Sequence, residues 1–322
     1  MGHRPLAVGA SGASTVTLGP ASRTKHTQPI QYPTLLDGGT GTELRARGVD
    51  VPSHLTSIWS AKALLEDPEA VVAVHRDYIE AGADVITVNN YAVTRPMLAR
   101  EGMADRVEEL TIRAAELAHR ARDQGGRDVR IAGSLPPLST SYRADMVGDS
   151  ATILGDYRQI AECLAPFVDL LLCETLSCSR EARAAATAAR GTTCEVWLSF
   201  TLQGTTAGHL PGGESLSEAI AAVADLDLHA YLVNCCGANF ITEAMATLAD
   251  VAHRPYGGYG EALEILPRPG QGSDGAPYQE PLGIEGYAGH ALRWLENGAS
   301  IIGGCCSTGP AHIARLRQLL DD

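Results

Sequence analysis

Apolar positions along the chain recur in two alternating rhythms: short continuous runs that close on a polar or glycine step, and longer stretches in which apolar residues return every three or four positions. The first run, 34–37, ends at Gly38-Gly39. The spacing then predicts a helix over 68–81, with Val71, Val72, Val74, His75, Tyr78 and Ile79 on one inward stripe and Gly82 as its stop. A second run, 84–88, ends at Asn89-Asn90 and leads into a long helical pattern over 104–122. Further runs at 129–132, 168–172, 195–200 and 230–233 alternate with helices expected over 153–164, 180–190 and after Ser215. Glu218, three residues past Ser215, completes a capping-box sequence. The seventh unit is poor: 254–260 is rich in Gly and Tyr and barely reads as a strand, and 267–281 reads as a long polar loop. The last unit is clear, with a helix over 284–297, a strand over 299–302, then Gly303-Gly304-Cys305-Cys306 and a closing helix from Pro310. Proline suits the first helical turn, where its missing N–H costs nothing.

Strand and helix alternating in this way build a parallel sheet with helices outside it. About eight units favour a closed (β/α)8 barrel in one domain, 32–322, over the competing doubly wound open sheet. Segment 1–31 is Ser/Thr/Gly-rich and lacks the apolar stretch of a secretory signal, so it is expected to be a loosely ordered extension. A barrel gathers functional groups at the C-terminal ends of its strands. The residues there would be Asp37, Asn89-Asn90, Ser134, Glu174, Thr201, Asn234-Cys235-Cys236 and Cys305-Cys306.

Charge narrows the partners. Thirty-eight acidic against 25 basic residues give a net charge of −13 with no basic cluster, which argues against nucleic acid. No run approaches the roughly 18 apolar residues that span a bilayer, so no membrane role is expected and the chain is placed in the cytoplasm. The only lysines are Lys25 and Lys62, and neither ends a strand, which argues against Schiff-base chemistry.

Eight cysteines in a long chain without an export signal are expected to stay reduced, leaving metal binding, catalysis or packing as their roles. Cys163, Cys173, Cys178 and Cys194 fall where packing explains them. Two vicinal pairs, Cys235-Cys236 and Cys305-Cys306, end strands six and eight, which face one mouth in a barrel. Zinc takes thiolates tetrahedrally, and a catalytic site uses three protein ligands and leaves one position open. Successive side chains on a strand point opposite ways, so both members of a vicinal pair ligate only in a turn, a freedom Gly303-Gly304 gives to Cys305 and Cys306. From spacing alone, Cys236 competes with Cys235, and simple burial of all the thiols competes with both. Asp37 and Glu174 likewise read either as anions for a substrate ammonium group or as helix caps and ion-pair partners.

At these residues the chain resembles the homocysteine S-methyltransferase family, from about 33 to 320. The resemblance rests on Leu35-Leu36-Asp37-Gly38-Gly39-Thr40-Gly41-Thr42-Glu43, on Ala81-Gly82-Ala83-Asp84-Val85-Ile86-Thr87-Val88-Asn89 and on Glu174-Thr175. It rests further on Val233-Asn234-Cys235 and, most specifically, on Ile301-Ile302-Gly303-Gly304-Cys305-Cys306-Ser307-Thr308-Gly309-Pro310. The resemblance implies a (β/α)8 barrel and zinc held by Cys235, Cys305 and Cys306, selecting Cys235 over Cys236. It implies small-molecule partners, homocysteine as thiol acceptor and a methyl donor. It assigns Asp37 and Glu174 to the ammonium group of the acceptor, with Gly38, Thr42, Asn89 and Asn234 also at the substrate. The turn amides from Gly38 to Thr42 are suited to a carboxylate.

The sequence departs from the family pattern at Asn90-Tyr91, at Cys236-Gly237-Ala238-Asn239-Phe240 and in the seventh unit, where Tyr256-Gly257-Gly258-Tyr259-Gly260 replaces a Pro-Asn segment. The chain ends soon after Cys306, without the modules of the cobalamin enzymes or the longer arm of the betaine enzymes, so a sulfonium donor (S-methylmethionine or S-adenosylmethionine) is expected. Trp59, Tyr91 and Tyr259 are candidates to face its positive charge. The alternatives are selenocysteine as acceptor, betaine as donor, and a barrel whose zinc is purely structural.

Overall fold

The computed structural model describes residues 33–203, 208–266 and 278–322. The expected extension, 1–31, and the middle of the long polar loop lie outside them. The chain opens with β1 (Thr34–Leu35), three helices α1 (Thr40–Ala46), α2 (Ala61–Glu66) and α3 (Pro68–Glu80), and then β2 (Val85–Thr87). Helices α4 (Arg95–Ala99) and α5 (Val107–Gln124) lead to β3 (Arg130–Leu135), α6 (Ser150–Leu164), β4 (Leu170–Leu176), α7 (Ser179–Arg190) and β5 (Glu195–Phe200). The second half runs α8 (Leu216–Ala221), β6 (Ala230–Gly237), α9 (Ala238–Val251) and β7 (Tyr256–Glu261). A hairpin of β8 (Leu263–Leu266) and β9 (Tyr278–Pro281) is inserted before α10 (Ile284–Glu296), β10 (Ile301–Gly304) and α11 (Pro310–Asp321).

Eight of the strands form one parallel sheet in the order β1-β10-β7-β6-β5-β4-β3-β2. A parallel bridge between Leu36 and Val85 joins its two edges, and the Asp37 N–H donates to the Val85 carbonyl at 3.1 Å. The sheet is therefore a closed barrel with the helices around it, as the repeat count predicts, and the open-sheet alternative is excluded.

Strand alternation divides the core into two layers. Leu170, Leu172, Trp197, Leu232 and Ile301 fill the lumen, whereas Leu171, Val196, Val233 and Ile302 face the helices. The helices supply the matching stripes, and all six residues expected on the inner face of α3 are buried. Pro68 occupies the first turn of that helix and the Asp67 side chain caps it through Ala70 N–H. The capping box of Ser215 and Glu218 forms as expected. Among the described residues no helix is long and apolar enough to cross a membrane.

The seventh unit corrects the sequence reading. Its Gly/Tyr-rich segment is a full barrel strand, paired with β6 and β10. Glycine is required there by close approach: a Cβ on Gly257 would run into the Ile301 carbonyl, and one on Gly258 would meet Ile241. The residues that weaken its strand signal are those that let it fit. The flanks of the long loop are also ordered, as the antiparallel β8–β9 hairpin.

Candidate active site

Strands β4 and β6 each carry a register irregularity near the C-terminal end, between Cys173 and Leu176 and between Asn234 and Gly237. Bulges at a barrel rim re-aim side chains. Here Thr175 (φ 60°) and Cys235 (φ 53°) adopt left-handed backbone that branched or thiol-bearing residues seldom take. Asn234 ties the two bulges together. Its carboxamide oxygen accepts from Thr175 N–H (2.9 Å) and from the Ser199 hydroxyl (2.6 Å), and its amide donates to the Thr175 hydroxyl (2.9 Å). The result turns Cys235 into the mouth while Cys236 packs outward against the helix layer.

Cys305 and Cys306 follow β10 in a tight turn. Cys305 N–H donates to the Gly260 carbonyl (2.8 Å), Ala262 N–H to the Cys306 carbonyl (3.2 Å), and the Thr308 hydroxyl to the Cys305 carbonyl (2.6 Å). Gly39 packs so close to Cys305 that a Cβ would overlap its carbonyl. The Thr42 hydroxyl donates to Gly39 O (3.0 Å) and accepts from Ser307 N–H (3.2 Å), clamping α1 to the same turn.

The sulfurs of Cys235, Cys305 and Cys306 lie within 4.8 Å of one another, the one group of three or more candidate metal donors among the described residues. Cys235 and Cys306 are 3.8 Å apart, and the Cys305 thiol approaches Cys235 at 2.7 Å. Bonds of roughly 2.3 Å in a tetrahedron place thiolates about 3.8 Å apart, so the cluster is within reach of a single ion. Hydrogen bonds from Cys235 and Cys305 hold the Cys306 thiol well below its ordinary range, while Cys305 is pushed up by the same contacts and by burial. A cation bound among the three sulfurs would favour the thiolate form of each. Cys163, Cys173, Cys178 and Cys194 form no disulfide and lie outside the cluster.

The cluster forms one wall of a cavity of about 510 Å³ that also exposes Asp37, Gly38, Thr42, Asn89, Glu174 and Glu261. Asp37 accepts from Thr87 N–H (2.7 Å) and the Thr87 hydroxyl (3.1 Å). Glu174 accepts from the Ser134 hydroxyl and, at 3.2 Å, from the Tyr259 hydroxyl. Burial pushes both carboxyls up to about 7, and the Glu174 charge adds to the rise at Asp37. Burial and the neighbouring Cys235 push Glu261 up to about 8. An anionic pocket is short of a cation, and a bound cation would lower all three. Asn89 donates from its amide to Ser60 O (3.1 Å) in the wall.

Two expectations change. Asn234, expected at the substrate, does not line the cavity, and its bonds to Thr175 and Ser199 hold the bulge that carries Cys235. The Gly38–Thr42 amides are not all free, because Gly39 N–H already donates to Thr308 O (3.0 Å). The aromatic candidates Trp59, Tyr91 and Tyr259 all line the cavity. Sequence reading missed Glu261 and Tyr142. Glu261 ends a strand that is hard to recognise, and Tyr142 lies in the loop after β3 with no periodic signal around it.

Comparison with known proteins agrees with this geometry. A family model described as homocysteine S-methyltransferase matches residues 34–320. The homocysteine S-methyltransferase of Escherichia coli (strain K12) is 32% identical over 308 residues, covering 88% of this chain and 94% of the relative. The selenocysteine methyltransferase of Astragalus bisulcatus is 30% identical, covering 89% of this chain and 92% of the relative. The crystal structure of the homocysteine methyltransferase MmuM from Escherichia coli in its metallated form superposes with a TM-score of 0.74 at 31% identity, covering 89% and 96% of the two chains. With the barrel, the sulfur cluster and the matched segments in agreement, the chain belongs to the homocysteine S-methyltransferase family, enzymes that methylate a thiol.

Proposed function

We propose that the chain transfers a methyl group from a sulfonium donor, S-methylmethionine or S-adenosylmethionine, to homocysteine, giving methionine, with zinc held by Cys235, Cys305 and Cys306. The observation that carries this reading is the convergence of three thiols on one ion-sized space at a cavity that also holds buried carboxylates. Zinc bound there supplies Lewis acidity that keeps the acceptor sulfur as a thiolate at neutral pH, where a free thiol with a pKa near 8.5 is mostly protonated.

The remaining work belongs to the chain's own residues. Asp37 and Glu174 take the acceptor's ammonium group, each with its carboxylate already oriented by a second side chain. Gly38, Thr42 and Asn89 line the wall beside them and shape the space for the rest of the amino acid. Asn234 holds Cys235 in its left-handed turn. The closed barrel below the mouth, filled by Trp197 and its neighbours, keeps water from the reacting centre on that side. In the transfer, the acceptor sulfur forms a bond to the methyl carbon. The donor's S–C bond breaks with its pair returning to the donor sulfur, and the acceptor's thiol proton leaves to solvent.

Bound zinc per chain and homocysteine methylation from S-methylmethionine, measured on the same samples of the wild type and of Cys235→Ala, Cys305→Ala and Cys306→Ala, test the reading. About one zinc in the wild type, lost together with activity in each variant, is the expected result. Zinc and activity both surviving in Cys235→Ala would overturn the ligand set. Selenocysteine and betaine run as competing acceptor and donor distinguish the alternatives, and zinc retention without any thiol-dependent turnover would favour a structural metal.

A further inference from the structure

Asp37 and Glu174 account for two of the three carboxylates in the cavity, and the third is built differently. Glu261 ends β7 beside the sulfur cluster, where Gly237 of β6 pairs with it and the next residue, Ala262, donates its N–H to the Cys306 carbonyl. Its carboxylate is half-buried and has one hydrogen-bond partner among the described residues, the Tyr142 hydroxyl at 3.4 Å. No described Arg, Lys or His forms an ion pair with it.

Arg143, next to Tyr142 in the chain, and Arg45, in the cavity wall, are committed elsewhere. Arg143 binds Asp145 through two short hydrogen bonds. Arg45 stacks 4.6 Å over Trp59 and donates to the Val51 carbonyl at 2.7 Å. Tyr142 is held at φ 64°, a left-handed conformation that is strained for a bulky aromatic residue, and remains 38% exposed at the cavity. Backbone strain of this kind persists where the surrounding structure imposes it. Here it brings the phenol hydroxyl to a carboxylate that has no other hydrogen-bond partner among the described residues.

We infer that Tyr142 and Glu261 form the donor's cation site, holding the positive charge of a sulfonium donor on the open side of the sulfur cluster, and so select donors that carry net positive charge. The inference rests on the methyl-transfer reading above. A half-desolvated carboxylate with no ion-pair partner among the described residues and an aromatic face both attract an onium ion. The site also works with the reaction. The donor enters as a cation and leaves as a neutral thioether, so the attraction that binds it disappears when the methyl group has moved. Because positive charge on the donor fades toward the transition state, the pair stabilises the bound donor more than the transition state. Its loss should therefore raise the donor KM and leave kcat unchanged or slightly higher.

The test uses the zinc-loaded full chain and the variants Glu261→Gln, Tyr142→Ala and Tyr142→Phe. Donor KM, homocysteine KM, kcat and bound zinc are measured, together with calorimetric binding of tetramethylammonium, an inert onium ion whose binding needs no turnover. Glu261→Gln is expected to raise the donor KM by about 10–100-fold, in line with the loss of a hydrogen-bonded charge. Homocysteine KM and zinc content should hold, and tetramethylammonium binding should weaken in parallel. Tyr142→Ala should show the same split with a smaller rise, and Tyr142→Phe, which keeps the ring, a smaller one still. An unchanged donor KM in Glu261→Gln, or a rise in homocysteine KM instead, overturns the assignment. If the wild type methylates nothing, the functional reading fails by itself. Tetramethylammonium binding then still decides the cation site, supporting it if weakened by Glu261→Gln and overturning it if not.

Discussion

Between the sheet and the helices the protein buries Leu, Ile, Val, Ala and aromatic side chains whose positions follow the strand and helix periods. At the mouth, from the ends of three different strands, it buries Asp37, Glu174, Asn234 and a thiol on left-handed backbone. The shell is stabilised by removal of apolar surface from water, a term that depends little on orientation. The mouth is the opposite case. Each buried polar group there needs a partner at a set angle, because an unpaired one costs roughly 1–3 kcal/mol. Substitutions in the shell should therefore change stability and spare chemistry, and substitutions at the mouth should do the reverse.

The largest effect is expected at the sulfurs. Cys305→Ala should abolish methyl transfer by more than about a thousand-fold, because a site reduced to two thiolates cannot complete the three-ligand set proposed to activate the acceptor. Its melting temperature with the metal chelated should stay close to that of the chelated wild type, since Cys305 is only partly buried and packs at the edge of the lumen cluster. Calorimetry on both chelated proteins checks this. A large additional loss of stability would make the cysteine turn part of the folding core and erase the contrast.

Next come the carboxylates. The Ser134 and Tyr259 hydroxyls donate to opposite oxygens of Glu174, so Glu174→Gln keeps an acceptor for one, turns an amide donor toward the oxygen of the other and removes the charge, a change the fold should tolerate. Steady-state kinetics should show the homocysteine KM raised by about 10–100-fold with the donor KM unmoved, as expected for a charge-assisted contact to an ammonium group. An equal rise in both constants would mean that Glu174 organises the whole cavity and is not specific to the acceptor.

Tyr287 belongs to both regions. It is fully buried on α10, yet its hydroxyl accepts from Gly260 N–H (2.9 Å) and lies 2.6 Å from the Gly303 carbonyl, two residues before the cysteine pair. Tyr287→Phe leaves the ring's packing and unpairs a buried strand end. A loss of about 1–3 kcal/mol by denaturant titration is expected, with zinc affinity falling by about tenfold as for other supports of a metal ligand. A stability loss without a change in zinc affinity would show that the shell does not hold the turn.

How far each region can be read in the sequence follows the same division. The stripe of α3, the capping box at Ser215 and the succession of strands and helices depend on local period and local hydrogen bonds, and all of them are visible in residue order. The strand-end rule also brings Asp37, Glu174 and the cysteines to one mouth without a contact being known. What escapes is decided by contacts distant in the chain. The β7 strand is hidden because Gly257 answers to Ile301, 44 residues away, and not to its neighbours. Asn234 reads as a wall residue until its bonds to Thr175 and Ser199 place it below the mouth. The short helices α1, α2 and α4 have too few turns to show a period. Glu261 carries no signal of its own, and its meaning comes from Tyr142, which reaches it across 119 positions.

The smallest effect on chemistry, and the strictest test of the division, is expected at His75. It lies on the buried face of α3 with no exposure, and neither ring nitrogen has a hydrogen-bond partner among the described residues. Burial pushes its pKa down to about 4, while the unfolded chain binds the same proton near 6.5. The folded state therefore binds fewer protons between these values. The stability this residue allows is fully present above pH 6.5 and is lost as the pH falls toward 4, by about 2 kcal/mol at pH 5. His75→Leu removes the titrating group and an unpaired polar side chain without opening a large cavity, so unfolding at pH 7 should shift little or toward greater stability. Acid unfolding should move to lower pH, with kcat and both KM values unchanged. Urea titrations at pH 7 and pH 5 measure the difference directly. An unchanged pH dependence would mean that His75 is not the shell's acid-sensitive point, and an altered kcat would mean that the packing behind α3 reaches the sulfur cluster after all.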